Sequence, residues 1–306
     1  MRLGSKIILG SVFLIGMVLS WYLFIKPYDY QIRFTKKASP GTLYKSVEGW
    51  GANAENGLTL LKERKTPFQN IQQDFKLQDS LLQFNWEFNS RNDSITAVIV
   101  RVNDRRHSIA TRIKNLFSDP PLKYIALSKL TDFNKNLDLH LKKFTVEIAG
   151  IDEIPEGFYA YVETECTLSQ KATTMISKNS EVAGWLNDNE IAILAQPSLE
   201  VTSWDIEKDS ISYRFMFPIE EVDSLPYHEI IKFKKNEPRN GLKAIFHGNY
   251  QISDRAWFAL LEYSSLNGIN VEKKPIEFFF DNPMLGGNEL KWTTEIYLPL
   301  KYDYED

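Results

Sequence analysis

The chain has a single cysteine, Cys166, and only four histidines in 306 residues. One thiol excludes an internal disulfide and leaves the compartment open. His107, His140, His228 and His247 are scattered without metal-ligand spacing, so no metal is expected. There is no phosphate loop and no G-x-S-x-G elbow, and no cofactor is expected either. No helix-turn-helix head precedes the C-terminal half. Long uncharged runs are equally scarce, and one stands out. Disorder is excluded by a composition of 43% hydrophobic and 13% aromatic residues.

The one run is Ile7–Ile25, 19 residues without a charge. That is about what a hydrocarbon core of ~30 Å requires of a helix. Trp21 and Tyr22 suit an interface. No small-x-small cleavage pattern follows before Pro27, so the run reads as an uncleaved anchor rather than a signal peptide. Arg2, Lys6 and the amino terminus precede it, and Lys26, Arg33, Lys36 and Lys37 follow. A short N-terminal tail that stays inside implies a single-pass protein of the cell membrane with its soluble domains on the extracytoplasmic face.

Beyond the anchor, Tyr28–Phe34 reads as a strand. Ser39-Pro40 then opens a helix through Leu43, Val47 and Trp50 to Gly51. Three β-rich stretches follow, Pro67–Leu77, Leu81–Asn89 and Ser94–Val102, with turns at Ser80 and Asn92-Asp93. Asp119-Pro120-Pro121 opens a long helix to about Phe144. Its stripe is Leu122, Ala126, Leu130, Phe133, Leu137, Leu141 and Phe144. This order, with the strand-Ser-Pro-helix opening and Leu116-Phe117-x-Asp119 before the last helix, resembles the SRPBCC (START/polyketide-cyclase-like) helix-grip fold. The resemblance covers roughly Tyr28–Val146 and implies a sheet gripped by a closing helix.

The second half turns on Lys291–Leu300, KWTTEIYLPL, a strand by its β-formers. Period 2 puts Thr293, Glu295 and Tyr297 on one face and Trp292, Thr294, Ile296 and Leu298 on the core face. Before it come Leu242–Phe246, the turn His247–Tyr250, a helix over Ile252–Leu266, the strand near Pro275–Pro283 and a Gly286-Gly287 turn. Ser253 is expected to cap that helix and Asn267-Gly268 to end it. Gly248-x-Tyr250, Trp257, Pro275-x-Glu277 with Asp281-x-Pro283, and Thr294-Glu295-Ile296-Tyr297-x-Pro299 together resemble the GyrI-like small-molecule-binding domain. That is also the effector-binding domain of multidrug-sensing bacterial transcription regulators.

The resemblance covers roughly Ile151–Lys301 and implies a pocket in which Glu295 faces cationic, aromatic ligands. Tyr250, Trp257 and Tyr297 are read from the residues as aromatic lining, with a place in the core as the alternative. The family is built from two copies of one motif. Pro197-Ser198-Leu199-Glu200 answers Pro275-Ile276-Glu277-Phe278, and Ser212–Ile219 answers Thr293–Leu300. This alignment sets Arg214 where the second copy has Glu295. Arg214 then either crosses the cleft to Glu295 or points to solvent beside Glu220 and Glu221.

Charge divides the halves. Tyr28–Ala149 holds 19 Lys and Arg against 13 Asp and Glu, while Gly150–Asp306 holds 14 against 27. The acidic half suits cations and repels nucleic acid, so no nucleic acid partner is expected. The basic half, with Arg101, Arg105, Arg106, Arg112 and Lys114, suits an anionic membrane surface or is a solvated face.

The expected architecture is α+β. It comprises an N-terminal transmembrane helix (1–27), an SRPBCC-like helix-grip domain (28–147) and a duplicated β-α-β-β GyrI-like effector-binding domain (150–306). The expected function is binding of small amphipathic, cationic, aromatic ligands in an aromatic cage around Glu295. One alternative is a hydrolase of small reactive electrophiles with Glu295 as general base. Another is a structural module whose pockets are filled.

Overall fold

The computed structural model describes residues 3–53, 58–77, 80–106, 108–117, 121–221 and 224–301. It is an α+β protein with two antiparallel sheets and one N-terminal apolar helix. That helix, α1 (Leu3–Ser20), continues as a π-helical turn over Trp21–Ile25. Among the described residues it is the one helix long and apolar enough to cross a membrane, and Ile7–Ile25 is wholly unburied. Its length and place suit a membrane span or a signal sequence equally. The chain divides into two compact units, and past Leu137 it belongs to the second.

The first unit holds β1 (Tyr30–Lys36), most of α2 (Pro40–Ala52), β2 (Thr59–Thr66), β3 (Asn70–Leu77), β4 (Ser80–Ser90), β5 (Thr96–Asp104) and α3 (Ser108–Asn115). It also holds α4 (Pro121–Leu141) as far as Leu137. The sheet order is β1-β5-β4-β3-β2, every pair antiparallel. Along β4 burial alternates, and Leu82, Phe84, Trp86 and Phe88 go inward. α4 lays Ala126, Leu130, Phe133 and Leu137 on that layer. Trp50 sits at the junction, its ring 5.3–5.7 Å from those of Phe75, Phe84, Trp86 and Phe133.

The structure differs from the sequence reading in one strand and at several element ends. β2 is a strand that the sequence reading leaves out. α4 ends at Leu141, so Phe144 begins a strand instead of closing the helical stripe. The Asp119-Pro120 helix start lies outside the described residues.

The second unit continues with β6 (Phe144–Ile154), β7 (Gly157–Thr167), α5 (Lys171–Asp188), β8 (Ser198–Asp205), β9 (Ser210–Ile219) and β10 (Lys232–Asn236). Then come β11 (Arg239–Gly248), α6 (Asp254–Asn267), β12 (Ile276–Phe279) and β13 (Thr293–Pro299). One antiparallel sheet takes the order β10-β7-β9-β8-β12-β13-β11-β6. Period 2 sorts its side chains. Glu277 faces the helices, where Lys171 and Trp257 meet it. Ile276 and Phe278 therefore face away, with Tyr297 and Ile154 in the same apolar cluster.

Gly248 lets the chain turn into α6. A Cβ there would lie 2.8 Å from Phe144 Cβ and from Phe246 Cζ, and φ is +154°. Gly268 ends α6 in the left-handed conformation at φ 66°.

Candidate functional site

Glu295 is a central residue of β13, on the sheet face turned away from the helices. Its side chain is 24% exposed. Tyr297, two residues on and on the same face, donates its hydroxyl to Glu295 Oε2 at 2.9 Å. Lys243 of β11 pairs with Tyr297 across the ladder. Its ammonium lies 3.1 Å from Glu295 Oε1, 2.9 Å from Asp152 Oδ2 and 5.3 Å from the Tyr297 ring centroid. The β11–β6 register slips at Lys243/Ala244, a bulge of the kind that re-aims a side chain.

Burial opposes the Lys243 charge, but hydrogen bonds to Tyr297, Asp152 and Glu295 more than offset it and hold its pKa above the ordinary lysine value. Burial and the Glu295 carboxylate push the Tyr297 hydroxyl up to about 12.

Arg214 does not reach this group. It lies on β9, and β8 and β12 separate β9 from β13. Three interstrand steps are ~14 Å, beyond a direct contact. Nor does it point to Glu220 and Glu221. Its guanidinium pairs with Glu163 at 3.3 Å and Glu200 at 3.2 Å and lies 5.3 Å from the Tyr161 centroid. Glu200 also receives Lys234 at 2.6 Å and Arg239 at 3.4 Å. Burial would raise its pKa, but Lys234 and Arg214 outweigh that and hold it below the usual carboxylate range.

Trp257 and Tyr250 lie on the helix side. Trp257 is wholly buried and donates Nε1–H to Glu277 Oε1 at 2.6 Å. Glu277 also accepts from Ser253 Oγ at 2.7 Å and from Lys171 Nζ at 2.9 Å and 3.0 Å. Lys171 and Glu277 are both 0% exposed. A lysine as first residue of a helix opposes the dipole, and Glu277 explains why one is there. Ser253, read as a helix cap, instead bonds this carboxylate and makes no cap bond. Sequence reading missed Lys171, which lies 106 residues from its partner.

Tyr250 lines a cavity of about 390 Å³. Met175, Ile176, Phe215, Phe279 and Trp292 supply its apolar wall, and Asp281 is its carboxylate. The Tyr250 hydroxyl donates to Asp281 O at 3.1 Å and accepts from Asp281 N at 3.0 Å, and burial pushes its pKa up to about 12. Glu295, Tyr297, Trp257 and Arg214 do not line this cavity. Among the described residues no group of three His, Cys, Asp or Glu is placed to hold a metal ion.

No protein-family model and no curated protein matches the chain. Solved structures do resemble it. The EcmrR–DNA complex in EcmrR-RPo is 16% identical, with a TM-score of 0.44, over 64% of this chain and 72% of that one. SAV2435 bound to tetraphenylphosphonium is 13% identical, with a TM-score of 0.33, over 49% and 92%. The di-domain ARO/CYC StfQ of the steffimycin biosynthetic pathway is 10% identical, with a TM-score of 0.27, over 89% and 85%. These neighbours are of the GyrI-like and SRPBCC-like kinds that the sequence resembles, at low identity. One of them is seen on DNA, and the expectation of no nucleic acid partner gains nothing from it.

Proposed function

We propose that the chain is a membrane-anchored binding protein for small amphipathic cations. In this reading residues 1–27 anchor it, 28–147 form a helix-grip domain, and 150–306 form a duplicated β-α-β-β domain with its site at Glu295. The soluble domains are extracytoplasmic. Two matching runs, β7-α5-β8-β9 and β11-α6-β12-β13, support the duplication. So does the central pairing, in which Ile276 meets Glu200 and Phe278 meets Ser198 about Leu199 and Glu277.

The observation that carries the reading is the Lys243 ammonium. It sits within cation–π range of an aromatic ring and beside a partly exposed carboxylate. A ligand cation needs that same place, so Lys243 is the internal rival that ligand must displace. Binding is favoured over hydrolysis because both Glu295 oxygens already accept, one from the Lys243 ammonium and one from the Tyr297 hydroxyl.

A second reading places the ligand in the helix-side cavity, since 390 Å³ with one carboxylate is the size and chemistry of a small-molecule pocket. Titration of the full chain in detergent with tetraphenylphosphonium and with a neutral isostere separates the two. Weakening by Glu295→Gln and not by Asp281→Asn supports the first reading. The reverse supports the second, and equal affinity for cation and isostere overturns both.

A further inference from the structure

We infer that α3 and the residues after it, Ser108–Phe117, lie on the membrane surface as an interfacial collar around the foot of the anchor. This rests on the reading of Ile7–Ile25 as a membrane anchor. α3 is amphipathic, but its apolar stripe faces outward. Ile109, Ile113, Leu116 and Phe117 fall on one side at spacings of four, seven and eight, and are 47%, 45%, 48% and 85% exposed. Such a stripe on a short surface helix normally faces a core.

The opposite side of α3 is fixed to the end of the anchor. Arg112 Nε donates to Asp29 Oδ1 at 2.8 Å, a pair 6% and 0% exposed. Ser108 Oγ donates to the same Asp29 oxygen at 2.7 Å, and the backbone N–H of Asp104 donates to Oδ2 at 2.8 Å. Arg112 Nη1 donates to the Leu23 carbonyl at 2.9 Å. The last carbonyls of a helix have no partner inside it. A guanidinium satisfies one here, and its charge suits the negative end of the dipole.

The stripe is therefore held next to Trp21, Phe24 and Ile25, all at least half exposed. The occupant that fits is a bilayer, because the apolar surface continues from the spanning helix without a break in kind. Exposed Arg105, Arg106 and Lys114 flank it with the charge that anionic headgroups attract.

The test uses the full chain with Cys166→Ser, reconstituted into phosphatidylcholine vesicles with and without phosphatidylglycerol. Single cysteines replace Leu14, Phe117 or Lys62, all exposed, and carry a spin label. Relaxation by oxygen, which concentrates in lipid, is compared with relaxation by a water-soluble nickel chelate. The Leu14 label reports the anchor, and a water-accessible Leu14 sinks the anchor reading itself. With Leu14 in hydrocarbon, the Phe117 label is expected to collide more with oxygen and less with nickel than Lys62, and more so in anionic vesicles. A Phe117 label as nickel-accessible as Lys62 overturns the collar. A label shielded from both reagents also overturns it, in favour of a protein partner on the stripe.

Discussion

Glu277 and Glu295 lie on neighbouring strands of one sheet and point to opposite faces. Glu277 is 0% exposed, with an ammonium, a hydroxyl and an indole N–H around it. Glu295 is 24% exposed, with one ammonium and one phenol. Each lysine also lies near a ring, Lys171 at 4.7 Å from the Trp257 centroid and Lys243 at 5.3 Å from that of Tyr297. The two groups share a chemistry and differ in access to water. A wholly desolvated carboxylate needs every partner it has, because removing one leaves a bare buried charge. One that keeps some access to water can exchange its partner for another cation at less cost to the fold. The first group therefore belongs to stability, and the second is the one to which the proposed function assigns recognition.

The largest expected effect is on the helix side. Lys171→Met strips Glu277 of its ammonium and should destabilise by about 3–5 kcal/mol. Glu277→Gln added to it should recover most of the loss, because the amide oxygen still accepts from Trp257 and Ser253. Urea unfolding of the three chains measures this. A single variant as stable as the parent would mean that the pair does not hold the helices to the sheet.

Much of this arrangement was legible in the sequence. β13, α6 and the inward positions of α4 follow from period 2 and period 3.6, which burial of one face imposes. Phe133 and Leu137 are buried where the stripe placed them. What was not legible depends on partners distant in the chain. Glu277 reads as one polar residue in an apolar strand, and nothing near Lys171 announces it. Arg214 aligns with Glu295 by repeat, but alignment does not count the strands between them. β2 carries Lys62, Glu63, Arg64 and Lys65 in a row. It is the edge of its sheet, where charge is a defence against pairing and hides the strand pattern. Phe144 continues the spacing of α4 by coincidence, and the strand it begins is likewise a sheet edge.

One histidine gives the fold a sensitivity to acid apart from these two carboxylate groups. Burial, then the Arg255 guanidinium, push the His140 imidazole from 6.5 down to about 4. Between these values the unfolded chain holds a proton that the folded chain does not. Stability therefore falls as pH drops from about 6.5 to about 4, by at most roughly 3 kcal/mol. His140→Gln should flatten that window in urea melts. A slope unchanged by the variant would place the acid sensitivity in the carboxylates instead.

The smallest effects on stability, and the ones that test the proposed function, are expected at Glu295 and Lys243. Glu295→Gln should change unfolding free energy by about 1 kcal/mol, less than the loss at Glu277, because this pair keeps some solvent and the amide oxygen can still accept. The same change should weaken binding of a lipophilic cation by about 1–3 kcal/mol, the scale of a charge-assisted contact. Lys243→Met acts in the opposite direction. It removes the rival cation while leaving an apolar stem beside Tyr297, so cation affinity should rise about tenfold, or ~1.4 kcal/mol. The rise must require Glu295, and Lys243→Met in the Glu295→Gln chain should gain nothing. Isothermal titration of the four chains with one cation closes this cycle. If Lys243→Met weakens binding, or strengthens it equally with and without Glu295, then Lys243 is not standing where the ligand goes.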